Sequence, residues 1–196
     1  MRLAAVLLAA GKSRRFGKEN KLLASVGGVP MAALAMERLA ALGAEWTLAV
    51  VSCGEVAALA RERGLSVVWN GQPERGMAGS IALGVRAAQK WGADAVLLMA
   101  ADQPKLSLAS LRALLDGFAR GGSRIACLAD ETHWGNPAVL AIAYAPELLA
   151  LGGDRGAKAV LKRHEDELTR VPCAAARELD DADDPQTLAA LIETLK

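Results

Sequence analysis

The sequence predicts an α/β protein built on a mainly parallel sheet, and three observations carry that expectation. Five short aliphatic runs have strand length and little polar alternation, the pattern of strands buried on both faces. Between them lie segments whose apolar residues recur at helical spacing. Strand and helix thus alternate, and such a chain folds as right-handed crossovers on a parallel sheet. With 196 residues, 53% of them hydrophobic, the chain can bury one good core, and a single domain over residues 1–196 is the default.

The first run, AAVLLAA (4–10), extends a buried strand from Leu3 to Ala10. Arg2 before it gives a superficial likeness to a signal peptide, but a strongly basic run follows where a cleavage site and neutral sequence would stand. No apolar segment approaches the ~20 residues that span a bilayer. The basic run, GKSRRFGKENK, opens with Gly11, Lys12 and Ser13, the end of a P-loop motif. That motif wants a glycine where Val6 sits and a helix directly after Ser13, and SRRFGKENK has no apolar periodicity. The loop therefore serves another purpose. Lys12, Arg14, Arg15, Lys18 and Lys21 cluster in it while the whole chain carries a formal charge of only +1. The cluster fits a local anion such as a polyphosphate, and neither nucleic acid nor a membrane is an expected partner.

About twenty residues separate the first strand from its helix, longer than most strand-to-helix loops and a common mark of function. Within them Gly27 and Gly28 read as a turn into that helix, MAALAMERLAAL (31–42). The alternation continues through TLAVVS (47–52), EVAALARER (55–63), SVVW (66–69), SIALGVRAAQKWG (80–92), AVLLMAA (95–101), LASLRALLDGFA (108–119) and RIACLA (124–129). After residue 130 the pattern changes. A strand is expected over 138–143, a short helix from near Pro146, a glycine turn opening a basic helix over 152–164, and a strand in ELTRVP. The acidic run ELDDADD leads into a last helix, with Asp184 as its cap and Pro185 at its first position.

Cys53, Cys127 and Cys173 are odd in number and in no CxxC arrangement. They predict neither a disulfide framework nor a zinc site, and a reducing cytoplasm as the location. Cys127, inside a strand, reads as a small core residue.

In open parallel sheets, ligands bind outside the carboxyl ends of the strands. The basic loop follows the first strand, and Asp102, in ADQP, follows AVLLMAA. Alone, Asp102 reads equally well as a turn residue. Beside a basic loop it supplies a hard oxygen for Mg²⁺, which typically joins one or two carboxylates to substrate phosphates. His133 reads as a surface group and His164 as a solvated residue at a helix end. Neither has a serine or cysteine partner in a recognisable motif, so no protein nucleophile is expected.

LAAGKSRRFGKENKLL, ERGMAGSIALG, LLMAADQP, HWGNPAVL, GDRGAK and DDADDPQTL stand in the order found in the molybdenum cofactor nucleotidyltransferases. From residue 3 to about 190 the chain resembles that family, most closely the molybdopterin cytidylyltransferases. The resemblance implies a three-layer Rossmann-like nucleotidyltransferase fold. It also implies transfer of CMP from CTP to the phosphate of molybdopterin with release of pyrophosphate, and a molybdoenzyme that receives the cofactor. Carried over by motif, Leu8, Ala9, Ala10, Gly11, Lys12 and Ser13 wrap the nucleotide, and Arg15 and Lys21 stabilise its phosphates, with Lys18 competing for the Lys21 role. Gly79 and Ser80 face the base, Asp102 and Asp183 hold magnesium, and Asn136 and Pro137, with the GDRGAK turn, border the pterin. LAAG at 8–11 and the GM segment before Ser80 go with CTP rather than GTP in that family. Two other readings are an oxidoreductase on the same fold, which the lack of GxGxxG after the first strand disfavours, and a non-catalytic cofactor carrier, which needs neither Asp102 nor the basic loop.

Overall fold

The computed structural model describes residues 1–11, 16, 20–120, 122 and 124–193. Among these, seven strands form one sheet, in chain order β1 (Leu3–Ala9), β4 (Trp46–Val51), β5 (Ser66–Trp69), β6 (Ala95–Ala100), β7 (Ile125–Ala129), β8 (Trp134–Ala141) and β9 (Thr169–Pro172). Their spatial order is β5-β4-β1-β6-β8-β7-β9. Neighbours run parallel except at β8, which is antiparallel to both β6 and β7. The sheet is thus mainly parallel, as expected.

Side chains alternate across each strand, so two cores form. On one side Ala5, Leu7, Ala49, Val51 and Leu97 pack with α1 (Met31–Ala40), α2 (Gly54–Glu62), α4 (Leu108–Arg120) and α7 (Pro185–Glu193). On the other, Ala4, Val6, Leu48, Val50 and Leu98 meet α3 (Met77–Trp91), α5 (Ala145–Leu149) and α6 (Lys158–Arg163). This is the three-layer arrangement. Gly84 lets α3 lie tight on β1, since a Cβ there would come within 2.5 Å of Val6. Gly92, at φ 74°, closes the same helix in the left-handed conformation that glycine adopts without strain. No described helix is long and apolar enough to cross a membrane.

Before α1, a two-strand hairpin, β2 (Ser25–Val26) and β3 (Val29–Pro30), turns at Gly27 and Gly28, both with positive φ. Such a turn matches the strand twist and requires those glycines. The strand expected over 138–143 instead runs from 134 to 141. Its start includes Trp134, held between the Lys158 ammonium and the Arg170 guanidinium at 4.4 and 4.5 Å from the ring. The expected solvated His164 is also corrected: its Nε2 lies 2.6 Å from Glu147, and its ring meets Tyr144 edge-on at 4.9 Å.

Candidate active site at the ends of β1 and β6

β1 and β6 are adjacent and in register, Leu8 opposite Ala100, so the residues that follow them emerge side by side. They open onto a cleft of about 610 Å³, within the usual range for small-molecule sites. Leu8, Ala10 and Gly11 line it from β1, and Ala100, Ala101 and Asp102 from β6. Ala9, buried beneath the cleft, belongs to the core. Lys12, Ser13, Arg15 and Lys18 lie outside the described residues.

Lys21 begins a short 3-10 turn capped by Asn20, whose side chain accepts a hydrogen bond from Leu22 N. From there its ammonium reaches Asp102 Oδ2 at 2.6 Å and Asp183 Oδ1 at 3.4 Å. Burial works to lower the lysine pKa. The charge and hydrogen bond of Asp102, and then those of Asp183, outweigh burial and hold the pKa above its ordinary value. The two carboxylates therefore converge on one cation. Their hard oxygens beside the cleft fit a divalent cation such as magnesium, which is commonly held by one or two carboxylates plus substrate oxygens. Among the described residues no three acidic, histidine or cysteine side chains form a complete metal cage.

The acidic run divides its labour in a way the sequence did not show. Glu178 is buried and accepts hydrogen bonds from Ser107 N, Ser107 Oγ and Ala175 N, tying the segment to the start of α4. Asp180 pairs with Arg177 at 2.7 Å. Ala182 N donates to Asp102 O at 2.9 Å, which brings Asp183 beside Asp102. Asp184 accepts from Thr187 N and caps α7, as expected. Asp181 keeps an exposed surface. Partial desolvation, and after it the negative charges of Asp102 and Asp183, push its carboxyl up to about 6.

The opposite wall of the cleft is the start of α3, from Gly76, Met77 and Ser80. Gly76 has φ 78°, and a Cβ there would come within 2.5 Å of Gly153 O, so this turn can press against the GDRG turn only as glycine. Asp154 of that turn also faces the cleft. Ser80 accepts a hydrogen bond from buried Asn70 Nδ2 at 3.0 Å, which leaves its own hydroxyl proton to donate. Gly79, one residue earlier, lines a neighbouring pocket of about 380 Å³ with Trp69 and Arg86. Asn136 is engaged within the sheet, its Oδ1 accepting from Ala100 N at 3.1 Å, and Pro137 is buried beside it. Neither lines the main cleft.

Residues 5–168 match the MobA-like NTP transferase domain. The chain belongs to that family, and is a nucleotidyltransferase by that membership. It is 30% identical over 203 residues to the purine catabolism protein PucB of Bacillus subtilis (strain 168), covering 94% of this chain and 93% of PucB. Among solved structures it resembles Rv0371c from Mycobacterium tuberculosis H37Rv, at 22% identity over 98% of both chains with a TM-score of 0.82. Rv0371c is also known as a complex with manganese, at 20% identity over 99% of this chain and 100% of that one, with a TM-score of 0.78. A CMP:2-keto-3-deoxy-manno-octonic acid synthetase complexed with CTP shares the fold at 14% identity, with 100% and 98% coverage and a TM-score of 0.75. The Rossmann-like nucleotidyltransferase fold implied by the motifs is thus present. Sequence reasoning missed Asn70, Gln103 and Asp181, whose environments arise from segments distant along the chain.

Proposed function

We propose that the protein transfers CMP from CTP to the phosphate of molybdopterin, releasing pyrophosphate and forming molybdopterin cytosine dinucleotide for a molybdoenzyme. The observation that carries the transfer chemistry is Lys21 held between Asp102 and Asp183 at the mouth of the cleft. A carrier would have no need of that cluster. Leu8, Ala10, Gly11 and Gly76–Met77 border the cleft where the base would lie, which supports the cytidine choice, as does the CTP held by a neighbour of the same fold. The acceptor rests on the order and content of the motifs.

An oxygen of the acceptor phosphate attacks the α-phosphorus. The new P–O bond forms as the bond to the bridging oxygen breaks, and pyrophosphate leaves with that electron pair. Negative charge spreads over the surrounding oxygens. Lys21 is a cation at the cleft to meet that charge, already oriented by its carboxylates, so little reorganisation is needed during the step. Arg15 serves as a second cation. Asp102 and Asp183 would hold Mg²⁺, which when bound neutralises the triphosphate and polarises its oxygens. Ser80, its oxygen turned to Asn70, offers its proton to an acceptor on the base.

A thermal-shift comparison of CTP, GTP, ATP and NADPH, each with Mg²⁺, tests this reading. CTP should give the largest shift, approaching about 2.7 kcal/mol at a hundredfold excess over its Kd. A larger shift with GTP would overturn the base, and with NADPH the reaction class.

A further inference from the structure

We propose that Gln103 is the positioning residue that sets Asp183 against Asp102 and Lys21, by holding the acidic segment to the end of β6. The inference rests on the reading of the two aspartates as magnesium ligands. Gln103 is only 3% exposed. Its Nε2 donates to Leu179 O at 3.2 Å and to Asn136 O at 3.4 Å. The amide nitrogen thus faces two backbone carbonyls from different segments, and the side chain also bonds the Asp181 carboxylate of the same acidic segment. One carbonyl belongs to β8, whose Asn136 Oδ1 also accepts from Ala100 N at the end of β6. The other belongs to the acidic segment, four residues before Asp183.

Among the described residues Gln103 Oε1 is buried without a hydrogen-bond partner. A buried group in that condition carries a cost, and a residue whose purpose was to fill space could avoid it by being apolar. Turning the amide over would point Oε1 at two carbonyls, so the observed orientation is imposed by the acceptors. The donor bonds are therefore what this side chain provides. They matter because Asp183, with a side chain 53% exposed, sits on an irregular segment rather than on a strand or helix. Besides its pairing with Lys21, its backbone is tied nearby by Ala182 N donating to Asp102 O. Gln103, adjacent in sequence to Asp102, holds the other end of that short stretch at Leu179. Glutamate would have the same shape but would turn an acceptor toward both carbonyls.

Gln103→Leu and Gln103→Glu test the assignment, the second serving if the first fails to fold. Hydrogen exchange at the Ala182 amide should quicken at least tenfold, with β1 amides unchanged. The Mg²⁺ concentration that half-saturates stabilisation by CTP should rise at least fivefold, while the CTP requirement at saturating Mg²⁺ changes less than twofold. In an Asp183→Asn background the same substitutions should leave the Mg²⁺ requirement where Asp183→Asn alone puts it, because Gln103 acts through that carboxylate. Unchanged exchange at Ala182 overturns the proposal. So does faster exchange with an unaltered Mg²⁺ requirement, or an equal further loss in the Asp183→Asn background, since either makes Gln103 merely structural. If CTP fails to stabilise the unsubstituted protein, the functional reading falls, and exchange at Ala182 alone then decides whether Gln103 holds the segment.

Discussion

Asp102 and Asp183 meet at the same ammonium but arrive there by different routes. Asp102 leaves a fully paired, buried strand, its side chain 21% exposed, with the Lys21 contact at 2.6 Å. Asp183 sits on an irregular segment, more exposed and farther from Lys21 at 3.4 Å, where Gln103 Nε2 donates to Leu179 O and Ala182 N donates to Asp102 O. A strand end places a side chain through local chain direction, whereas a coil residue needs several separate ties. The first carboxylate should therefore be the stronger determinant of any shared cation, and the second the adjustable one.

That inequality can be broken experimentally. Asp102→Asn keeps the shape and removes the charge, so it should fold normally yet lower pyrophosphate release by ~1000-fold, the upper end for loss of one electrostatic stabiliser. A variant that kept a substantial fraction of the rate would reduce Asp102 to a turn residue. Lys21→Ala should cost ~100-fold in kcat with a much smaller change in CTP affinity, if the ammonium acts mainly on charge built up in the transition state. Parallel loss of affinity in a titration would show that it only gathers phosphate. Asp183→Asn should cost about 10-fold, the low end for removing a group that supports a metal site. A defect as deep as that of Asp102→Asn would erase the distinction between the two routes.

The smallest effect concerns their neighbour. The Asp181 carboxyl, raised from 3.8 to about 6 by desolvation and by the charges of Asp102 and Asp183, binds more protons in the folded state than in the unfolded one between those two values. Its contribution to stability is thus complete below about pH 4 and lost as pH rises through about 6. Asp181→Asn should stabilise the protein at pH 7.5 by about 0.5 kcal/mol once solvent screening is allowed for, and leave it unchanged at pH 4. Denaturant melts of both proteins at the two pH values provide the check, and a loss of stability at pH 7.5 would show that Lys21 outweighs the repulsion.

Much of the scaffold was legible because its signals are local. Aliphatic runs and helical spacing marked the strands and helices, Gly27–Gly28 marked a turn ahead of α1 though not its hairpin, and Asp184–Pro185 marked the start of α7. Asp102 could be read as a site residue from its place after β6. The reversed direction of β8 could not, because an apolar run buried on both faces looks the same whichever way it lies. The phase of α3 was equally hidden, and it turns Ser80 into the cleft and neighbouring Gly79 into another pocket.

By itself the sequence determined the alternation of elements, the family motifs, and the presence of a carboxylate and cations at the carboxyl edge of the sheet. These depend on side-chain type and spacing over a few residues. Tertiary structure alone decided which acid of ELDDADD is buried against Ser107, which pairs with Arg177, and how Asp183 comes to stand at the cleft beside Asp102. Seven adjacent residues, five of them acidic, carry no local signal that separates these roles. The separation comes from Ser107, Gln103, Asp102 and Lys21, which lie roughly 70 to 160 residues away along the chain and come within hydrogen-bond reach only when the sheet has formed.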